Sequence, residues 1–481
     1  MDMRPVANIV GWLAAIMGLL MIACGLLDHF SGGQPGDVFI VSGLAVMMLA
    51  LCVAVATANC HIRFLDRRQA FLLTTLVWTA LPAVGALPFV IGAPQASLVD
   101  AYFEAMSGMT TTGSTVFPHL DGLPMGVLLW RGLLQWLGGL GIVIVAMIFL
   151  PTMRVGGMQF FLAEGFDTLG KIMPRAIDIA KYLLGVYVLL TLACIMAYSV
   201  FGMGLFDALV HALTTISTGG FSTTDASFAA FSGSLEYVSA FFMVLASLPL
   251  VRFVQLLQGQ PGQVFRDIQV RTYLRWLGIA SLAIILHRWA MGQGSLPDII
   301  RGTVFNIVTL FSGTGYASED VSAWGSFSFV IIFIAGLVGG CTGSTACSIK
   351  IFRWLVLKES IKAMITRMYS PRAVYLLRLD NRPLGEDVVD SVIAFFTLFI
   401  LTLGLTSVGI ALTGLSFQTS VTAAWTSVAN IGPAFGEAVG ASGSMEAFPT
   451  TAKWIMIFGM LAGRLEILSL YVLLTRRFWV G

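Results

Sequence analysis

Long apolar runs dominate the chain, and short polar segments separate them. A transmembrane helix needs about 20 consecutive, mainly apolar residues. Ten runs reach this length, near 6–27, 38–58, 71–92, 125–150, 177–203, 235–258, 272–294, 326–357, 388–413 and 449–475. The first run is about 22 residues long, which suits a retained helix better than a signal peptide. The pattern predicts an all-α, polytopic membrane protein.

Four shorter apolar runs lie between long ones, near 98–112, 205–219, 299–314 and 417–431. They are too short to cross a bilayer, so each reads as a half-helix followed by a loop. Internal repetition of this kind defines the organisation of a chain. We predict a leader helix pair at 1–60 and four repeats of helix, half-helix, loop and helix, at 61–155, 156–260, 261–375 and 376–481.

Each half-helix runs into small residues around a glycine. The aligned glycines are Gly113, Gly220, Gly315 and Gly432, at spacings of 107, 95 and 117 residues. A half-helix of about 14 residues is about 21 Å long and reaches the middle of the bilayer. Its carboxyl end is the negative pole of the helix dipole, so four converging ends favour a cation.

The loops after the half-helices contain Thr, Ser and Gly and no carboxylate. Irregular backbone at membrane depth is tolerated where it is buried or lines a water-filled cavity. Glycine permits positive φ, which a filter of backbone carbonyls needs. The plainer alternative is that small residues let helices pack closely. Four copies at similar spacing favour the filter.

Composition agrees with a membrane protein and gives little support to an enzyme. The 481 residues are 57% hydrophobic and 11% charged, against about 25% charged in soluble proteins. No zinc-protease, phosphate-loop, nucleophile-elbow or dinucleotide-binding motif is present, and the six cysteines lack zinc spacing. Besides a gated cation channel, an ion-coupled symporter and, less well supported, an intramembrane enzyme stay open. A symporter would need carboxylates near the ion site.

Lys and Arg concentrate in alternate connecting segments. The basic segments are 59–70, 151–181, 259–275, 353–387 and the end at 476–477, whereas 28–37, 93–124 and 204–236 have neither residue. Cytoplasmic segments carry this excess, so both termini are expected in the cytoplasm. All four half-helices then enter from outside. Arg288, Arg301 and Lys453 are exceptions near the outer face.

Seven sequence motifs carry a resemblance to a known family. They are Thr110-Thr-Thr-Gly-Ser-Thr115 with its counterparts Ser217–Ser222, Ser312–Tyr316 and Ala429–Pro433, together with Trp130–Gly139, Gly339–Thr345 and Gly463-Arg-Leu-Glu466. The chain resembles the TrkH-type subunit of bacterial potassium uptake systems, within the Trk/Ktr/HKT superfamily. The resemblance covers all ten helices and the four loops. It implies four units, related by pseudo-fourfold symmetry, around one pore in the bacterial inner membrane.

The resemblance also implies the ion, the cofactors and the partners. Glycine rather than serine at Gly113 argues for potassium over sodium. The family forms homodimers with a cytoplasmic nucleotide-binding regulatory subunit of TrkA type. This chain lacks a dinucleotide-binding fingerprint, so a nucleotide would act only through that partner. No covalently bound cofactor and no nucleic-acid partner are expected, and potassium is the substrate. The fourth loop departs most from the filter pattern, with Pro433 after its glycine.

The predicted site has two levels. The filter residues are Thr112, Gly113, Thr218, Gly219, Gly220, Thr314, Gly315, Ile431 and Gly432, with potassium at Thr112, Gly113, Gly220, Gly315 and Gly432. The glycine-rich stretch 336–348 should break the eighth helix. In the family this segment lies across the pore. The predicted gate residues are Gly340, Cys341, Thr342, Gly343, Ser344, Thr345 and Arg464.

Charged and polar residues at membrane depth complete the predictions. Glu104 and Arg131 read as a structural pair, and His211 as hydrogen-bonded, with a proton relay left open. Arg464 lies near mid-bilayer, where a charge costs at least about 2.5–3.5 kcal/mol. Two interpretations remain for it, a carboxylate partner on another helix or a position in the pore below the filter, with or without bonds to the gate segment's carbonyls.

Overall fold

The computed structural model describes residues 2–31, 36–59, 65–144, 176–372, 376–380, 382–440, 442–465 and 467–480. This part of the chain is mostly helical, as predicted. Its strands are Arg378–Leu379 and Arg382–Pro383, which form one antiparallel hairpin. The predicted boundaries after 60, 155 and 375 fall outside the described residues, as does most of 151–181.

The leader pair consists of helices Arg4–Phe30 and Asp37–Ala56. Their close approach depends on facing glycines. A Cβ on Gly18 would come within 3.0 Å of the Gly43 carbonyl oxygen, and a Cβ on Gly43 within 3.0 Å of the Gly18 oxygen. Small residues at such crossings let two membrane helices pack backbone against backbone.

All four predicted half-helices are present, as Leu98–Met109, Leu205–Ile216, Leu296–Ser312 and Phe417–Ala429. Three of them begin at a serine N-cap, whose hydroxyl accepts from the backbone N–H three residues on. These caps are Ser97, Ser295 and Ser416. We number the half-helices 1 to 4 in chain order.

The remaining helices are Arg67–Gly85, Leu87–Ile91, Met125–Ile144, Ala176–Val200, Ser234–Ala246, Leu250–Leu257, Gly262–Arg266, Ile268–Ala290, Ser326–Leu337, Ile351–Tyr369, Glu386–Ala411, Thr450–Arg464, Ile467–Leu474 and Arg476–Val480. By length and hydropathy, five spans of the described chain can cross a membrane unbroken, and two more can do so as bent pairs. The fold therefore has the predicted plan of leader pair and four repeats.

Two spans predicted as continuous are sharply bent. The 235–258 run divides into Ser234–Ala246 and Leu250–Leu257, at 92° to each other. Pro249 lies at this break and lacks the N–H that a helix needs. The 449–475 run divides into Thr450–Arg464 and Ile467–Leu474, at 111°. No proline or glycine follows Arg464 in this run to signal the bend.

The predicted interruption of the eighth span is present. Ser326–Leu337 ends, residues 338–350 are irregular, and the helix resumes as Ile351–Tyr369. A bridge between Val338 and Ile349 closes the base of this excursion. We call residues 338–350 the crossing segment, because it passes beneath the half-helices as described below.

Candidate ion pathway

Each half-helix ends in the same local structure. A residue with positive φ follows the helix, namely Thr111 at +51°, Thr218 at +52°, Gly313 at +76° and Asn430 at +54°. The next residue donates its N–H to the carbonyl five residues back, in the pairs Thr112–Ser107 at 2.9 Å, Gly219–Thr214 at 2.8 Å, Thr314–Thr309 at 2.8 Å and Ile431–Thr426 at 3.1 Å. This is the Schellman ending of a helix. It reverses the direction of the chain after each of the four half-helices.

The aligned glycines follow at once, and all have positive φ. The values are +87° for Gly113, +78° for Gly220, +85° for Gly315 and +114° for Gly432. Each return loop therefore alternates between left-handed and ordinary backbone. Residues with side chains adopt the left-handed conformation only at a cost. We name these return loops 1 to 4, at residues 110–117, 217–224, 313–318 and 430–435.

The four glycines form a closed ring. A Cβ on Gly113 would come within 3.0 Å of the Gly219 oxygen, one on Gly220 of the Thr314 oxygen, one on Gly315 of the Ile431 oxygen, and one on Gly432 of the Thr112 oxygen. Loop 1 thus abuts loop 2, loop 2 abuts loop 3, loop 3 abuts loop 4, and loop 4 returns to loop 1. The nine residues predicted as a filter lie in and beside this ring.

A buried ion pair holds loops 1 and 2 together. Arg131 Nε lies 2.8 Å from Glu104 Oε1, and both side chains are almost fully buried. Glu104 also accepts from the Val116 N–H at 2.9 Å, while Arg131 Nη1 donates to the Ser222 carbonyl at 2.9 Å. The guanidinium lies 4.2 Å from the centre of the Phe221 ring. The predicted structural pair is present within the first repeat, and Arg131 connects it to the second through Ser222 and Phe221.

Other side chains join the loops around the ring. Ser114 Oγ donates to the Gly432 carbonyl at 2.7 Å, and Asn430 Nδ2 donates to Thr112 Oγ1 at 2.8 Å, so both join loops 4 and 1. Between loops 2 and 3, the Tyr316 hydroxyl bonds to Thr215 Oγ1 at 3.2 Å and also reaches Thr214.

The contact between loops 3 and 4 is different. Gly315 faces Ile431 and Pro433 there. The hydrogen bonds that span this contact in the described chain come from the crossing segment. The Cys347 N–H donates to the Ser312 carbonyl at 3.4 Å, and the Ser348 N–H donates to the Ala429 carbonyl at 3.0 Å.

The crossing segment reaches the carboxyl end of every half-helix. Besides those two bonds, Thr345 Oγ1 donates to the Ile216 carbonyl at 2.9 Å, and Cys347 Sγ lies 3.7 Å from the Thr111 carbonyl oxygen. The segment therefore lies directly beneath the ring. Of the predicted gate residues in this segment, Thr345 makes such a bond; Cys347 and Ser348 were outside that prediction.

The other predicted gate residues anchor the segment at its side. Cys341 donates its N–H to the Ser247 carbonyl at 2.9 Å, and the Gly343 carbonyl accepts from the Leu250 N–H at 3.0 Å. Both partners lie at the 92° bend, next to Pro249. That bend thus supplies free backbone groups to hold the segment in place. Thr342 N–H donates to Gln269, and the Gly340 carbonyl accepts from Ile351. Ser344 Oγ donates to Cys341 O.

Arg464 lies against the crossing segment. Its Nη1 is 3.3 Å from Cys347 Sγ, and its Nη2 is 3.5 Å from the Gly138 carbonyl oxygen. The side chain is 4% exposed, and no carboxylate pairs with it among the described residues. Of the two interpretations, the described contacts match the position below the ring. A cavity of about 30 Å³ beside Arg464 and Asn430 has room for one or two waters.

A wider cavity of about 720 Å³ has a lining that includes Pro118, His119, Asp225, Glu437 and Glu446. These residues follow loops 1, 2 and 4. Acids around a concave mouth raise the local concentration of cations.

The three cationic exceptions to the charge pattern each pair with an acid: Lys453 with Asp100 at 2.6 Å, Arg301 with Glu236 at 2.9 Å, and Arg288 with Glu319 at 3.0 Å.

His211 is hydrogen-bonded through both ring nitrogens. Nδ1 lies 2.9 Å from the Asp207 carbonyl oxygen, and Nε2 lies 3.1 Å from Ser222 Oγ. The ring also packs edge-on against Phe228 and Phe231. This geometry agrees with the structural interpretation.

The chain matches a family model described as TrkH, a cation transport protein, over residues 40–478. The chain belongs to the TrkH family. Among curated members it is 39% identical to the Trk system potassium uptake protein TrkI of Halomonas elongata, over 99% of this chain and 96% of that protein. It is 34% identical to the Trk system potassium uptake protein TrkH of Escherichia coli K12, over the full length of both.

A solved structure of a TrkH family member shares the fold. The crystal structure of the potassium transporter TrkH from Vibrio parahaemolyticus covers 100% of both chains, with a TM-score of 0.92 and 31% identity. These relatives are named as potassium uptake proteins or as a potassium transporter. Among the described residues, no cluster of His, Cys, Asp and Glu could hold a metal ion.

Proposed function

We propose that this chain is the ion-conducting subunit of a bacterial potassium uptake system, with the four return loops as its selectivity filter. The observation that carries this proposal is the closed ring of Gly113, Gly220, Gly315 and Gly432, each against a backbone carbonyl of the next loop. The names of its relatives, which are potassium uptake proteins, support the choice of ion.

Potassium would be held by backbone carbonyls at Thr112 and the four ring glycines. The neighbouring filter residues Thr218, Gly219, Thr314 and Ile431 keep the loops in register. Carbonyl oxygens in such a ring replace the water shell of the ion. The four half-helices end just before the ring, so the negative poles of their dipoles converge on the same place. Together these features favour a dehydrated monovalent cation without any carboxylate ligand.

A channel fits these contacts better than an ion-coupled symporter. Coupling would need a titratable carboxylate free to exchange protons or ions near the site. Glu104 is a buried acid that bonds to return loop 1, and its oxygens are occupied by Arg131, Thr115 and Val116. A carboxylate with these partners serves as structural support.

The crossing segment and Arg464 would form the gate. Residues 345–348 lie beneath all four half-helix ends, and Arg464 adds a positive charge on the same side. The small cavity there has room for one or two waters, and we take this arrangement as the closed one. Conduction then requires the segment to move aside and Arg464 to withdraw from the axis.

The chain would work as a homodimer in the bacterial inner membrane, with both termini in the cytoplasm. The basic segment 353–387 connects the crossing segment to the last repeat, and we propose it as part of the docking surface for a TrkA-type nucleotide-binding partner. The Trk system names of the relatives support a system of several components. Nucleotide would regulate the channel only through that partner.

Flux through purified protein in liposomes tests this proposal. A channel gives potassium flux that follows the potassium gradient in either direction, with no requirement for sodium or protons. A fixed ratio of potassium to a second ion would establish the symporter instead. Absence of potassium flux from correctly folded protein, with and without its regulatory partner, would reject both.

A further inference from the structure

Return loop 2 differs from the others at the residue before its ring glycine. Thr112, Thr314 and Ile431 occupy this position in loops 1, 3 and 4, whereas loop 2 has Gly219. The space of the missing side chain is filled from another repeat. A Cβ on Gly219 would come within 3.0 Å of the side-chain amide of Gln135, which lies on helix Met125–Ile144.

Gln135 binds loop 2 on both sides of its ring glycine. Its Nε2 donates to the Gly219 carbonyl at 2.6 Å, and its Oε1 accepts from the Phe221 N–H at 3.0 Å. The side chain is 0% exposed. A single amide therefore fixes the peptide planes before and after Gly220, whose φ is +78°.

This bond is needed because the backbone of loop 2 is the least restrained of the four. Two successive glycines have more accessible conformations than any other pair of residues. The Gly220 backbone also abuts the Thr314 carbonyl of loop 3. A rotation at Gly219 or Gly220 would therefore change the positions of carbonyls in two loops.

We propose that Gln135 is the positioning residue that sets the ion preference of return loop 2. It acts through the orientation of the Gly219 and Gly220 peptides and does not contact the ion. The inference rests on the proposed function of the ring as a filter. A filter that is free to relax accommodates sodium more readily, because selectivity depends on the number and placement of carbonyl dipoles.

The test compares potassium and sodium flux in liposomes for the parent and for Gln135→Leu. The leucine keeps the volume but removes both hydrogen bonds. The potassium-to-sodium permeability ratio should fall by roughly tenfold, the factor that 1.4 kcal/mol represents, while potassium flux persists. Gln418→Leu, at an exposed glutamine of half-helix 4, is the matched control and should leave the ratio unchanged.

A rescue experiment separates positioning from general stability. Gly219 has no positive φ, so a threonine can be placed there once Gln135 is shortened. Gly219→Thr alone should reduce the yield of folded protein, because it collides with Gln135. The double variant Gln135→Ala and Gly219→Thr should restore folding and recover most of the ion preference lost in Gln135→Ala.

The outcomes are distinct. If the parent selects potassium and Gln135→Leu has the same permeability ratio, the role of Gln135 is overturned. The filter proposal would still stand. If Gln135→Leu does not fold, the ratio in the folded double variant decides: recovery relative to Gln135→Ala supports positioning, and no recovery rejects it. A parent that conducts no potassium would reject the filter itself.

Discussion

The Arg131–Glu104 pair allows a quantitative test of how the return loops are held. In Arg131→Met, Glu104 would keep the Val116 N–H at 2.9 Å and the Thr115 hydroxyl but lose the charged partner that it has among the described residues. Removing one member of a buried pair costs about 3–5 kcal/mol, because the remaining charge stays buried. The variant also loses the bond to the Ser222 carbonyl. We expect a destabilisation at the upper end of that range.

Substituting the acid of the pair should destabilise the protein less than substituting the arginine. In Glu104→Gln the amide oxygen can still accept from Val116, and Arg131 keeps the Ser222 carbonyl and the Phe221 ring. A cost of about 1–3 kcal/mol is expected, that of an imperfectly satisfied buried group. The double variant Glu104→Leu and Arg131→Met should be more stable than Arg131→Met alone, since well-packed apolar residues often replace a buried pair without loss.

The assay is unfolding in mixed micelles as the fraction of denaturing detergent increases. Tryptophan fluorescence reports the unfolded fraction. Arg271→Met, at an exposed arginine, is the control and should change the unfolding free energy little. If Arg131→Met unfolds within about 1 kcal/mol of the parent, the loss is no larger than one ordinary hydrogen bond. The pair would then not hold the loops together, and the reasoning from burial would be refuted.

Three further predictions concern conduction and orientation. Arg464→Ala should increase potassium flux per inserted molecule in liposomes, because a positive charge leaves the pathway; unchanged or lower flux would make Arg464 a structural residue. Gly220→Ala should lower the potassium-to-sodium ratio or block conduction, since a Cβ there meets the Thr314 carbonyl and strains a φ of +78°; an unaltered ratio in a folded variant would remove Gly220 from the filter. A cysteine at position 370, in place of Ser370, should react with an impermeant reagent in inside-out vesicles, and labelling in intact cells would reverse the predicted topology.

The repeated features of this protein were predictable because the same sequence pattern occurs four times. A single Thr-Gly or Gly-Gly step is ambiguous, but Gly113, Gly220, Gly315 and Gly432 after four short apolar runs define the half-helices and the ring. The Glu104–Arg131 pair was predictable for another reason, since charges at membrane depth need partners. The break at 338–350 followed from its density of glycine.

Features that depend on contacts between repeats were not predictable. The bonds of Gln135 to loop 2 and of Asn430 to loop 1 connect residues 84 and 318 positions apart. Nothing in the local sequence specifies such partners. Pro249 could have signalled the bend at 247–249, because proline lacks the N–H that a helix interior needs. The bend after Arg464 has no such local signal.

The crossing segment gives the contact between loops 3 and 4 a particular property. Its Cys347 and Ser348 N–H groups supply the hydrogen bonds that span this contact. If the segment moves aside to let ions pass, as we propose, loops 3 and 4 would lose these bonds, while side chains would still join the other three contacts. Conduction and ion preference would then be thermodynamically linked, and the linkage would be reciprocal. An ion that fits the ring well would stabilise the arrangement in which the segment is docked, so a change of permeant ion should alter how often the pathway opens.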